Sequence, residues 1–168
     1  MEILKKELKF KNKLLKRKTT TQIIIHCTGG YASEKTTVET IHNMHLKNGW
    51  SGIGYHYLIT VDGKIWEGRP DDTIGAHAAP QNNNSIGICY VGGLSKDKKH
   101  VDTRTPEQKK AMDELVAYLV EKYPGIVRII GHRDISPDLD GDGEIEPNEF
   151  IKSCPCFDAI PEYQSFLG

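Results

Sequence analysis

The sequence predicts an α/β fold: a single domain with a central mixed β-sheet and helices packed on it. Three observations predict this. Short apolar runs rich in Ile and Val alternate with amphipathic stretches of helical period. The chain has 168 residues, the length of one domain. It is 38% hydrophobic and 27% charged with four Cys, which excludes a disordered, collagen-like or disulfide-dense chain.

The elements follow in order. Glu7-Leu8-Lys9-Phe10-Lys11 alternates polar and apolar, as an edge strand does. Thr21–His26 carries three consecutive Ile and reads as a buried central strand. Thr36 and Glu39 form a capping box for a helix bearing Val38, Ile41, His42 and His45, and Gly49 stops it. Tyr55–Val61 and Lys64–Trp66 flank Asp62-Gly63, a tight hairpin turn. Residues 68–84 are loop, and Ser85–Val91 is a strand closed by Gly92-Gly93. Thr105, Pro106 and Gln108 start the clearest helix, with Met112, Leu115, Val116, Leu119 and Val120 on its apolar face. Pro124-Gly125 ends it, and Ile126–Ile130 is a short strand leading into Gly131-His132.

The net charge of −1 hides an asymmetry. Residues 1–18 hold eight Lys and Arg against Glu2 and Glu7, while seven acids crowd residues 134–149. A basic segment over 1–19 therefore precedes the main domain at 20–168. It reads either as a solvated edge or as a contact for an anionic envelope or nucleic acid. The chain as a whole carries no basic nucleic-acid surface, so no nucleic-acid partner is expected. No apolar run approaches the ~20 residues of a membrane span. Lys interrupts every apolar stretch of the head, so it does not read as a signal peptide. The expectation is a monomer made in the cytoplasm with mostly free thiols.

His26 and His132 each end an apolar strand, where sites in α/β sheets gather. With Cys154 they offer two imidazoles and a thiolate, a three-ligand set for Zn²⁺ that keeps a fourth position open. Spacing alone makes this a weak signal, because the three lie 106 and 22 positions apart.

Several segments, in order over residues ~20–160, carry a resemblance. They are Ile-Ile-His26-Cys27-Thr28, His45 with Gly49-Trp50, Gly54-Tyr55-His56-Tyr57, Gly68-Arg69, Gly75-Ala76-His77-Ala78, Asn84-Ser85-Ile86-Gly87, Gly131-His132 and Cys154-Pro155 with Phe157-Asp158. They resemble the zinc-dependent N-acetylmuramoyl-L-alanine amidases of the phage lysozyme type, which share a fold with peptidoglycan recognition proteins. The resemblance implies zinc ligands at His26, His132 and Cys154 and catalytic roles for Tyr55 and Lys152. It implies hydrolysis of the amide joining N-acetylmuramic acid to the L-alanine of the stem peptide. It also implies peptidoglycan as partner and action on the cell wall after release or assisted export. A peptidoglycan-binding module without turnover is the alternative. The presence of Tyr55, Lys152 and Cys154 favours the enzyme.

His77, Asn84 and Arg69 are candidates for substrate contact, with a loop hydrogen bond, turn chemistry and pairing with a local acid as their respective alternatives. His42, His45 and His56 read as structural, and His100 as solvated. Cys27 and Cys89 read as packing residues, and the role of Cys156 stays open.

The chain departs from that family between His132 and Cys154. Related phage enzymes place the two about eight residues apart, and here they are 22 apart. The insertion at 138–149 matches an EF-hand calcium loop, with Asp138, Asp140 and Asp142 at positions 1, 3 and 5. Gly143, Ile145 and Glu149 fill positions 6, 8 and 12, and Glu144 would give its carbonyl. Ser136-Pro137 precedes the loop, so no entering helix is expected. Calcium binding, a solvated acidic loop, and a calcium-regulated interaction domain are the readings of this stretch.

Overall fold

A computed structural model describes residues 1–168. In chain order its strands and helices are β1 (Ile3–Leu4), β2 (Gln22–Cys27), β3 (Gly30–Tyr31), α1 (Val38–Lys47), β4 (Tyr57–Ile59) and β5 (Ile65–Glu67). Then come β6 (Ser85–Tyr90), β7 (Gly93–Leu94), α2 (Pro106–Lys122), β8 (Arg128–Gly131) and α3 (Ala159–Tyr163).

Six strands form one sheet in the order β1-β5-β4-β6-β2-β8. The β4–β5 hairpin is antiparallel and every other pairing is parallel, so the sheet is mixed as expected. β2 lies between β6 and β8, and all six of its residues are buried. A strand covered on both faces has no solvent side, which is why it reads as a continuous apolar run.

Strand alternation divides the core. Ile23, Ile25 and Cys27 face Met112, Leu115, Val116 and Leu119 of α2 and Tyr163 of α3. Ile24 faces the other way, toward Ala78 and Ile130. On that side Val38 and Ile41 of α1 cover Leu58, Cys89 and Val91. The sheet is thus sandwiched, and His26, in phase with Ile24, opens on the α1 side at the strand's end.

α2 begins as its sequence predicts: Thr105 Oγ1 accepts from Gln108 N, and Gln108 Oε1 accepts from Thr105 N. α1 starts one residue later than expected. Thr37 and Thr40 trade the capping bonds, each hydroxyl accepting the other's backbone N–H at 3.2 Å. Residues 7–11 are not a strand, since Leu8 and Phe10 turn onto the α1 side of the core and Phe10 meets the His42 ring edge-on. The edge position goes to Ile3–Leu4, which pairs with β5. No helix is long and apolar enough to cross a membrane.

Candidate active site

The C-terminal end of β2 delivers His26, and the end of β8 delivers His132 at the start of a 3-10 turn over His132–Ile135. The two rings lie 4.5 Å apart between centroids. Cys154 arrives from 127 residues away along the chain: its Sγ accepts from the backbone N of Cys27 at 3.2 Å. Three contacts dock this segment. Arg133 N donates to Cys154 O at 2.8 Å, and Tyr90 OH donates to Pro155 O at 2.6 Å. Pro155 also packs on Gly131, where a Cβ would stand 2.6 Å from the proline Cδ. Only glycine at 131 lets the Cys154–Pro155 segment come this close to β8.

The result is that donor atoms of His26, His132 and Cys154 lie within 4.8 Å of one another. Two imidazoles and a thiol at that spacing fit a tetrahedral Zn²⁺ with one position left for water or substrate. Burial, with His77 and His132 nearby, pushes the His26 imidazole well below its ordinary value. Burial and then Lys152 bring His132 down to about 4. Both rings are therefore neutral at pH 7, the form that offers a lone pair.

These residues border a groove of about 480 Å³ that also holds Tyr55, His77 and Lys152. Tyr55 is half-buried with its ring 5.1 Å from that of His26. Burial, then the neighbouring Cys89 and Cys154, raises its phenol well above the usual value, so it keeps its proton. Lys152 is exposed at the groove wall. A second hollow, of about 530 Å³ at the start of α1, has no His or Cys in its lining.

His77 is buried, and its ring is held between His26 and Ser85. Arg69 turns inward, donating from Nε to Ile53 O and from a terminal nitrogen to Ile74 O. Asn84 bonds Gln22 and Gln81 outside the groove lining. The contacts of Arg69 and Asn84 are those of loop braces. His42, His45 and His56 each accept a backbone N–H, from Ile53, Gly54 and Gly87. Cys156 faces Cys27, Sγ to Sγ 3.8 Å, and the carbonyl of Gly93. Sequence reasoning missed Trp50 and His100, both on the groove. Trp50 is 43% exposed and tilts over His45 at 4.4 Å; a large exposed aromatic at the end of a helix was the available signal.

In the acidic insertion, carboxylate oxygens of Asp138, Asp140 and Glu149 converge, and those of Asp140, Asp142 and Glu146 form a second group. Glu144 donates its backbone N–H to Asp142, and Glu146 is the acid the motif reading left out. Glu149 is buried and accepts from the backbone of Leu139, Asp140 and Glu146. A short 3-10 turn, Pro147–Glu149, stands where an EF-hand has its exiting helix.

The family model for N-acetylmuramoyl-L-alanine amidases matches residues 16–148. The chain belongs to this amidase family. The match stops inside the acidic insertion, so Lys152 and Cys154 rest on the geometry above. The amidase is 35% identical over 142 residues to the endolysin of Enterobacteria phage T3, covering 84% of each chain. Among solved structures it is similar to the N-acetylmuramoyl-L-alanine amidase endolysin LysCS of Clostridium intestinale. The TM-score there is 0.74 at 27% identity, over 94% of this chain and 88% of that one. Bumblebee PGRP-SA shares the fold at a TM-score of 0.75 and 22% identity, over 99% of this chain and 95% of that one. Family membership and the endolysin relative support a peptidoglycan amidase.

Proposed function

We propose that this amidase hydrolyses the amide between the lactyl group of N-acetylmuramic acid and the L-alanine of the stem peptide, using zinc held by His26, His132 and Cys154. The observation that carries the proposal is the convergence of those three donors on one groove with Tyr55 and Lys152. Zinc bound there supplies a Lewis acid and a water acidified for attack on an amide.

The chain's own residues do the rest. His26 and His132, kept neutral by burial, hold their lone pairs inward. The Lys152 ammonium meets the negative charge that grows on the carbonyl oxygen. Tyr55, protonated beside His26, orients the attacking water and relays its proton. Trp50 offers an exposed apolar face at the rim, suited to a sugar ring. The substrate puts this activity at the cell wall.

Lys152→Ala is expected to lower kcat roughly 10²–10³-fold, as loss of an oxyanion donor does, with zinc content unchanged. Activity assay beside metal analysis checks this. Loss of zinc with the lysine would assign it a structural role instead.

We propose further that the loop 138–149 binds calcium through Asp138, Asp140, Asp142, Glu149 and the carbonyl of Glu144. The full match to the twelve-position motif and the convergence of Asp138, Asp140 and Glu149 support this. Ile151 N donates to Ser136 Oγ at 3.1 Å, so a braced loop steadies the segment leading to Lys152 and Cys154. Calcium at millimolar concentration is expected to give a binding isotherm and raise the Tm, and Glu149→Gln to weaken both. A flat calorimetric titration at that concentration would contradict it.

A further inference from the structure

A chain of three hydrogen bonds runs from the Gln81 carbonyl to His26. Ser85 Oγ lies 2.7 Å from the carbonyl oxygen of Gln81. His77 Nε2 lies 3.1 Å from the same Ser85 Oγ. His77 Nδ1 lies 2.8 Å from His26 Nε2. The protons in this chain can be assigned from one end. A carbonyl oxygen only accepts, so the single Ser85 hydroxyl proton points at Gln81. Ser85 Oγ is then the acceptor for His77, which must carry its proton on Nε2. A neutral imidazole has one N–H, so His77 Nδ1 is bare. The proton between the two rings therefore belongs to His26 Nε2, and His26 Nδ1 keeps its lone pair.

We propose that His77 is a positioning residue: through Ser85 it fixes His26 as the Nε2–H tautomer and leaves Nδ1 as the ring nitrogen free to bind a metal together with His132 and Cys154. The inference rests on the zinc reading only for its purpose, not for the proton assignment. The opposite polarity would place a proton on His77 Nδ1 and consume the His26 Nε2 lone pair. His26 would then carry its own proton on Nδ1 and have no nitrogen left for a metal. A histidine ligand whose second ring nitrogen donates to a fixed acceptor is the usual outer arrangement of metal sites.

The surroundings support a dedicated slot for this ring. His77 is 8% exposed. A Cβ on Gly87 would stand 2.7 Å from its Cγ and Nδ1, and one on Gly75 would stand 2.7 Å from its Cδ2. Asn82 Oδ1 accepts from both His77 N and Ala78 N at 2.9 Å, which anchors the backbone. His56, the next imidazole, spends its own nitrogens on Thr73 O and Gly87 N and does not compete.

Long-range ¹H–¹⁵N correlation spectra of the zinc-free protein read both tautomers directly. The expected result is Nε2–H on His26 and on His77. Nδ1–H on His26 would overturn the proposal. Zinc affinity by chelator competition is the second readout. His77→Leu is expected to weaken zinc roughly 10–100-fold, and His77→Asn, which keeps an acceptor near the Nδ1 position, to recover much of it. An unchanged zinc affinity in folded His77→Leu would also overturn the proposal. Wild-type protein with the Nε2–H tautomers and no affinity for zinc would uphold the relay and instead refute the metal reading. Ser85→Ala is expected to mix the His77 tautomers while the fold persists.

Discussion

Cys154→Ala is expected to strip the protein of zinc and to cut peptidoglycan hydrolysis roughly a thousandfold or more. The three donors sit within 4.8 Å of one another, and no fourth His or Cys belongs to that cluster. Two imidazoles alone bind zinc far more weakly than two imidazoles and a thiolate. The ion's share of charge stabilisation is several kcal/mol, and about 4 kcal/mol corresponds to ~10³ in rate. Cys156→Ala is the control. Its sulfur faces Cys27 and the Gly93 carbonyl and is not one of the three clustered donors, so zinc and activity should persist. Zinc retained in Cys154→Ala and lost in Cys156→Ala would exchange the two assignments.

The second large effect is on stability and comes from Arg104, whose side chain is 1% exposed. Its guanidinium bonds Asp102 through two nitrogens and Glu162 through two, and it donates to Tyr163 OH at 3.1 Å. It also lies 3.4 Å from the centroid of the Phe157 ring. This one group ties α3 and the segment just after Cys154 to the body of the domain. Arg104→Ala leaves two carboxylates facing a void and is expected to cost about 3 kcal/mol, the low end for a broken buried pair because both acids keep some water contact. For a chain of this length that is a Tm lower by roughly 6–12 °C.

The same cluster sets an acid limit. The hydrogen bond from Arg104 holds the Glu162 carboxyl below its ordinary value of 4.5. A depressed folded value contributes stability above 4.5 that is lost as pH falls through the lower folded value. Thermal melts between pH 7 and 3 should show a steep acid loss in the wild type and a shallower one in Arg104→Ala. Equal slopes in the two proteins would contradict this.

What the sequence made legible was local. Consecutive Ile residues, Asp62-Gly63 and the Thr105–Gln108 box each act within a few residues, and each formed the element expected. Where two neighbours had equal chemistry, the boundary moved: Thr37, not Thr36, caps α1 because Thr40 can answer it. Two-residue strands such as β3 and β7 and the five-residue α3 have no period to read. They exist because tertiary packing holds them.

The site divides in the same way. His26 and His132 stood out as histidines closing apolar strands. Cys154 was legible only by resemblance, since its partner at Cys27 is 127 residues away. Arg69 and Asn84 looked like groove residues, but Ile53, Ile74, Gln22 and Gln81 satisfy them elsewhere. The link from His77 to Ser85 could not be read before β6 set Ser85 on the same face of the sheet as His26.

Hydrolysis at the muramoyl–alanine amide is read most directly by end-group analysis of digested peptidoglycan. Purified, metal-analysed protein should release new L-alanine amino termini and no new reducing sugar ends, with about one zinc per chain. Tight wall binding and bound zinc without new L-alanine termini would contradict the account and make the chain a recognition module.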